Sequence, residues 1–266
     1  MKRRTLLSGA FLIISALMIG TNPDVGAAAA DPPYRRLDPA AAIGVLIQAY
    51  PDEITGKARN QITMRSGTTL TVDLNRSPKN FEERLDQADL VDQLSIFYPR
   101  GCPVRTPTLN DDPGRLRYGP FFSAMYGSTA ATVGKNLTAV SWFGQQVRVS
   151  KMNGVDVALK DVAADLASLV EQRPELRKYL TPSAGTFNFR TIAGTKRFSM
   201  HAYGIAIDLN TAYSDYWRWD GTGSPPKYRN RIPCEIGQVF EQHGFIWGAK
   251  WYHYDSMHFE YRPELL

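Results

Sequence analysis

Hydrophobic positions along the chain change period several times, and each change marks an element. Ile43, Leu46, Ile47 and Tyr50 recur at helical spacing behind Asp38 and Pro39, a cap and first-turn proline that predict a helix with one apolar face. Ile62 and Met64 then face Leu70 and Val72 across Ser66-Gly67, which predicts a hairpin. Phe81, Leu85, Ala88 and Val91 restore the helical period. Strand pairing is predicted around Gly144, over 137–149. A helix follows through Leu159, Val162, Leu166 and Leu169 and stops before Pro174. A last helix, 233–243, carries Ile236, Val239, Phe240 and His243 on one face and ends at Gly244.

Two stretches in the last third read as strands. In 199–210 (SMHAYGIAIDLN), Ile205, Ile207 and Leu209 alternate with Ala206, Asp208 and Asn210. In 247–261 (WGAKWYHYDSMHFEY), Ser256, His258 and Glu260 alternate with Met257, Phe259 and Tyr261. A strict strand would send His201 and Asp208 to opposite faces. His201 is therefore predicted on the turn before the strand, where Gly204 lets the chain bend until both side chains converge. The segment 98–119, rich in Pro, Gly, Asp and Arg, reads as an irregular stretch, either a linker or a segment wrapped over the core, and its Tyr and Arg residues favour wrapping. The aromatic and polar stretch 211–231 reads as a surface excursion or a substrate-facing loop. These elements predict an α+β fold, a small antiparallel sheet presenting its chemistry from strand ends with helices packed on one side.

Composition refines this picture at a few points. With 266 residues and 43% hydrophobic content, the chain suits one domain or a domain with an appendage. The opening residues 1–30 read as a signal peptide: Lys2, Arg3 and Arg4, an apolar run over 6–19, then Ala28-Ala29-Ala30 before Asp31. Cleavage there would leave no integral membrane span and an exported protein, periplasmic or secreted. Arg3-Arg4 fits a twin-arginine signal as well as a general one. The expected organisation is then a helical and hairpin segment at 31–98 packed on a catalytic domain at 99–266. Of the formal charge of +5, Lys2, Arg3, Arg4 and Asp24 carry +2, so the remainder carries +3, too little to argue for nucleic acid. The two cysteines, Cys102 and Cys234, form one long-range disulfide or stay as two thiols. Neither belongs to a CxxC pair, which argues against a thiolate metal site.

All four histidines lie at or after position 201. Two imidazoles and one carboxylate form a suitable set for Zn²⁺, with a fourth position left for water. A further carboxylate three residues before the last histidine suits a general base. The patterns S-x-H-x-x-G-x-A-x-D at 199–208 and W-x-x-x-D-x-x-H-F at 251–259 resemble the zinc D-alanyl-D-alanine carboxypeptidases, whose relatives include L-alanyl-D-glutamate endolysins and the hedgehog signalling domain. The resemblance covers 186–261 and implies a hedgehog/DD-peptidase-like core. It implies His201, Asp208 and His258 as zinc ligands and Asp255 as base, where many relatives carry Glu. It also implies that Arg190, within TFNFRTIAG at 186–194, contacts substrate or a developing oxyanion. Ser199 bonds the substrate or holds the turn. His243 reads as structural, His253 as a support for the base or a partly exposed side chain, and Glu260 as an outer ion-pair partner. The implied activity is a zinc peptidase acting on peptidoglycan stem peptides, of D-Ala-D-Ala carboxypeptidase or L-Ala-D-Glu endopeptidase type. A non-catalytic zinc-containing module that binds wall peptide or protein is the other expectation.

Overall fold

In a computed structural model, which describes residues 34–76, 79–221 and 227–266, helix α1 (Pro39–Ala49) starts where the apolar spacing puts it. The Asp38 carboxylate accepts from the Ala41 N–H at 2.9 Å, and Ala42, Ile43 and Leu46 form the buried face. The export signal expected at 1–30 lies outside the described residues.

Strands β1 (Ile54–Ala58), β2 (Gln61–Met64) and β3 (Thr69–Thr71) form an antiparallel meander in which Ile62 faces Leu70. The hydrophobic pattern marks β2 and β3 but not β1, whose only buried residue is Ile54, so it shows no alternation. The helix expected over 81–91 is two helices, α2 (Phe81–Gln87) and α3 (Leu90–Gln93). Ala88 leaves the helical region, and Asp89 opens a new capping box with Asp92. After an irregular segment come two short helices not anticipated, α4 (Gly119–Tyr126) and α5 (Ala130–Gly134).

Strands β4 (Leu137–Trp142) and β5 (Gln145–Ser150) form a ribbon whose turn residues, Phe143 and Gly144, both have positive φ. Helix α6 (Val155–Gln172) buries Val155, Leu159, Val162 and Leu166 and ends before Pro174, followed by α7 (Arg177–Leu180). The remaining elements are β6 (Ala206–Asp208), α8 (Cys234–Gln242), β7 (Phe245–Trp247) and β8 (His258–Tyr261). The class is α+β, with small antiparallel sheets among helices.

The sheet that matters for the site has the order β6-β8-β7, antiparallel throughout. Ile207 faces Phe259 across it, and the neighbouring pairs Asp208–His258 and Ala206–Glu260 fall on the opposite face. Phe259 stacks on Phe240 of α8, with ring centroids 3.9 Å apart, and on Trp247 at 5.5 Å. One buried apolar cluster runs from Ala42 of α1 to Phe259 of β8, so the amino-terminal elements share the core of the sheet.

The irregular segment before α4 wraps this sheet. The Tyr98 hydroxyl donates to Glu241 and accepts from the Trp247 N–H, while the Lys250 ammonium donates to the carbonyls of Pro99 and Gly101. Cys102 and Cys234 form a disulfide that ties the segment to the start of α8. Among the described residues no helix is long and apolar enough to cross a membrane.

Phe259 is fully buried and holds one face of β8 while the other presents His258. Phe259→Ala is expected to cost about 3–5 kcal/mol of unfolding free energy, measured by denaturant titration. A loss below about 1 kcal/mol would show that the stack does not hold the strand.

Candidate metal centre

His201 sits in a single helical turn, Met200–Tyr203, just before β6. Ser199 caps the turn by accepting from the His201 N–H at 3.3 Å, and its own N–H donates to the Arg190 carbonyl. Gly204 closes the turn in the left-handed region, at φ 69°. A Cβ there would lie 2.6 Å from Leu137 Cδ2 and 3.2 Å from the Ser150 nitrogen, so close approach of the β4–β5 ribbon also requires glycine. The bend turns His201 back over the end of β6.

The three predicted ligands converge. His201 Nε2 lies 3.2 Å from His258 Nδ1 and 3.1 Å from Asp208 Oδ1, and His258 Nδ1 lies 2.9 Å from that same oxygen. Both imidazoles are buried, and the Asp208 side chain is 23% exposed.

Their remaining atoms decide what the three can hold. His201 Nδ1 faces the Thr186 carbonyl oxygen, which only accepts, so that nitrogen carries the proton and Nε2 presents a lone pair. His258 Nε2 donates to Glu260 Oε2 at 3.0 Å, leaving Nδ1 directed at the cluster. Two imidazole lone pairs and a carboxylate therefore aim at one point, an arrangement that needs a cation or a proton between them. Donors bound tetrahedrally to zinc at about 2.0–2.1 Å stand about 3.3 Å apart, close to the spacings found.

The surrounding charges agree. Burial works against charge on His258, but its bonds to Asp208 and Glu260 outweigh this and carry its pKa up to about 10. Burial likewise opposes ionisation of Asp208, yet the two histidines hold it well below the usual carboxylate range. Glu260 departs from its expected place. It is fully buried, not an outer ion-pair partner, and is held ionised against its burial by Arg117, His258 and Arg262. Only its place two residues along β8 from His258, on the same face, hinted at this.

Asp255 lies outside the three-atom cluster but within its field. Its N–H donates to the Gly248 carbonyl at 3.0 Å and its carbonyl accepts from His258 N–H at 3.1 Å. A Cβ on Gly248 would come within 2.5 Å of the Asp255 carbonyl oxygen, so a glycine is needed for that approach. Burial, then the charge of Asp208, push the Asp255 carboxyl up to about 6, with His258, Arg115 and His201 opposing. Its Oδ1 is out of solvent and has no hydrogen-bond partner among the described residues. An acceptor so placed suits a group that exchanges protons with a neighbour.

The other predicted positions separate. The Arg190 side chain is exposed, and among the described residues its Nη1 reaches the Thr191 carbonyl at 3.5 Å; Arg115 is the arginine whose charge acts on Asp255. His253 donates its backbone N–H and turns Nδ1 to Asp112, and thus anchors the wrapping segment. His243 pairs with Asp165 at 2.8 Å, away from the cluster.

Residues 193–261 match a family model described as D-alanyl-D-alanine carboxypeptidase. That span holds His201, Asp208, Asp255, His258 and Glu260, and it bears out the family resemblance carried by the two motifs. The match supports a peptidase. A comparison with curated proteins returns no match.

The raised His258 pKa has a consequence for stability. Protein stripped of metal gains stability from the His258 proton at pH below about 6.5 and loses it as pH climbs towards about 10. Thermal unfolding of chelator-treated protein should thus show a midpoint that falls over this window, with the fall removed in His258→Gln. A midpoint equally flat in both proteins would contradict the proposed pairing.

Proposed function

We propose that the chain is a zinc-dependent peptidase that hydrolyses peptide bonds in peptidoglycan stem peptides. The observation that carries this reading is the convergence of His201 Nε2, His258 Nδ1 and Asp208 Oδ1 on one point, with Asp255 beside it. These three side chains would hold the ion. Bound there, zinc would supply Lewis acidity towards a carbonyl and lower the pKa of a coordinated water towards neutrality.

The chain's own residues supply the rest. The Asp255 carboxylate accepts a proton from the attacking water and returns it to the departing amine. Its desolvated, unpaired Oδ1 and raised pKa favour both halves of that exchange. Glu260 fixes the tautomer and ring orientation of His258, and the Thr186 carbonyl does the same for His201. Arg190 is the guanidinium that the family pattern directs to substrate; its carbonyl is bonded to Ser199, two residues before His201. Ser199 holds the His201 turn by accepting from the His201 N–H.

The protein acts outside the cytoplasm in this reading, on the evidence of the leader at 1–30 and of the disulfide between Cys102 and Cys234. Wall peptides are its partners, and neither the charge nor the site calls for nucleic acid.

The test is incubation of purified mature protein with muropeptides, with and without chelator, followed by mass spectrometry. Loss of a terminal D-alanine or a cut between L-alanine and D-glutamate, abolished by chelator, is expected. Asp255→Ala should keep the metal and lose at least about 10²–10⁴ in turnover, whereas His201→Ala should lose both. Metal retention with no cleavage by the unaltered chain would favour a binding module, and near-normal turnover in Asp255→Ala would remove it as the base.

A further inference from the structure

The aromatic and polar stretch 211–231 plays no part in the chemistry above, yet its middle is laid directly against Asp255. Tyr216 forms an antiparallel bridge with Asp255. Around that bridge the Trp217 N–H donates to the Tyr254 carbonyl at 3.0 Å, the Ser256 N–H to the Asp215 carbonyl at 2.9 Å, and the Asp215 N–H to Ser256 Oγ at 2.7 Å. Residues opposite each other in an antiparallel pair put their side chains on one face. The Tyr216 ring therefore leaves the backbone on the same side as the Asp255 carboxyl.

From Tyr216 the aromatic surface continues outward. The chain turns through Trp217–Asp220, where the Trp219 N–H donates to the Tyr216 carbonyl at 3.0 Å. That turn sets the Trp219 ring edge to face with Tyr216, the centroids 6.0 Å apart and the planes at 80°. Trp217 packs the other way, 4.7 Å from the His253 ring. Trp219 stays 55% exposed. An indole held in place by its turn but left in water adds little to the core, and such a surface suits a ligand.

Tyr216, Trp219 and the buried Tyr254 line a cleft of about 660 Å³, and Asp215, Asn230 and Arg231 supply polar groups to its wall. Arg231 is committed: its Nε lies 3.2 Å from both Asp215 oxygens, and its two terminal nitrogens donate to the carbonyls of Ala212 and Ser214. Arg229, the other cation of the wall, is engaged as well. Neither guanidinium is a fork set out for an anion. Capacity remains on the two shorter side chains. An ionised carboxylate has about four acceptor sites, more than Asp215 uses on Arg231, and Asn230 spends one N–H and one lone pair on Ile232.

An aromatic wall beside a carboxylate and an amide matches the two surfaces of a pyranose. The ring face carries C–H bonds that leave water against an indole, and the ring edge carries hydroxyls that pair with planar polar groups. An aliphatic side chain would cover the indole but leave the polar wall unpaired.

We propose that this cleft is a subsite for an N-acetylated amino sugar of the glycan strand, stacked on Trp219 and hydrogen-bonded to Asp215 and Asn230. The subsite rests on the peptidase reading and adds to it a preference for stem peptides still attached to their sugar. A stem peptide hangs by its first residue from N-acetylmuramic acid, whose carboxyl is thereby an amide. The sugar at that end is neutral, as a wall with committed cations requires. The position beside Asp255 fits a cut between L-alanine and D-glutamate, where one residue separates the sugar from the scissile bond.

Calorimetry on full mature protein carrying Asp255→Asn reads binding without turnover. The two probes are the disaccharide of N-acetylglucosamine and N-acetylmuramic acid carrying L-Ala-γ-D-Glu-L-Lys-D-Ala-D-Ala, and the same pentapeptide with an N-acetyl group in place of the sugar. The glycan-linked peptide is expected to bind about tenfold or more tightly, and Trp219→Ala to bring the two within about twofold of each other. Trp219→Phe keeps a ring and should keep part of the preference. Because Trp219 is exposed, the alanine variant should fold, and an unchanged thermal midpoint checks this.

Equal binding of the two probes would overturn the subsite, as would a sugar preference that survives Trp219→Ala. Loss of a dimer in Trp219→Ala, read by sedimentation with the two probes bound equally throughout, would assign the patch to a second copy and overturn it too. The peptidase reading fails separately. A Trp219-dependent sugar preference in a chain that hydrolyses neither peptide would keep the subsite and remove that reading, whereas hydrolysis of both at equal kcat/KM by the unaltered chain would keep the reading and overturn the subsite.

Discussion

Three acceptor atoms aimed at one point repel each other, and the molecule is built to hold them there. The aim comes from atoms that are not themselves in the cluster. Thr186 takes the far nitrogen of His201, and Glu260 takes the far nitrogen of His258. Glu260 could not stay ionised in the core alone, since an unpaired buried carboxylate costs several kcal/mol. Arg117 and Arg262 both pair with it, and Arg262 passes the demand on to Glu264, which also accepts from the Tyr50 hydroxyl and the Gln93 amide. A continuous polar chain therefore runs from the cluster to the end of α1 and to α3. The amino-terminal elements thus have a physical role, because they satisfy the last acceptor in a line that begins at an imidazole.

The opposite face of the same strand carries the packing. Phe259 lies between Phe240 and Trp247, so the register that puts His258 opposite Asp208 is enforced by apolar contact one residue away. A slip of one position would turn His258 towards the apolar core and Phe259 towards the cluster. The wrapping segment serves both faces, bonding to Glu241 and Trp247 on one side and supplying Arg115 and Arg117 on the other. Its irregular backbone is tolerated because side chains and a disulfide, not a hydrogen-bond ladder, fix its course.

Much of this was legible from residues alone, for identifiable reasons. The alternation at 205–210 and 256–261 marked strands, and the conflict between that period and the His201–Asp208 spacing required a turn at Gly204, where one is found. Strand β7 escaped notice because Phe245, Ile246 and Trp247 are all buried and show no period. The break between α2 and α3 depends on Asp89 acting as a cap within an apolar pattern that continues across it. Glu260 looked like an exterior charge because nothing local announces that two arginines from elsewhere in the chain will enclose it. Arg115 was invisible for a related reason: its proximity to Asp255 exists only once the segment before α4 has folded over the sheet.

The account depends on a cation at the meeting point of these acceptors, and zinc-edge anomalous diffraction from crystals of the purified protein tests it most directly. The predicted result is a single strong peak about 2.0–2.1 Å from His201 Nε2, His258 Nδ1 and Asp208 Oδ1 alike. Crystals grown with zinc present that show no peak there, with the two imidazoles and the carboxylate hydrogen-bonded to one another instead, would contradict it.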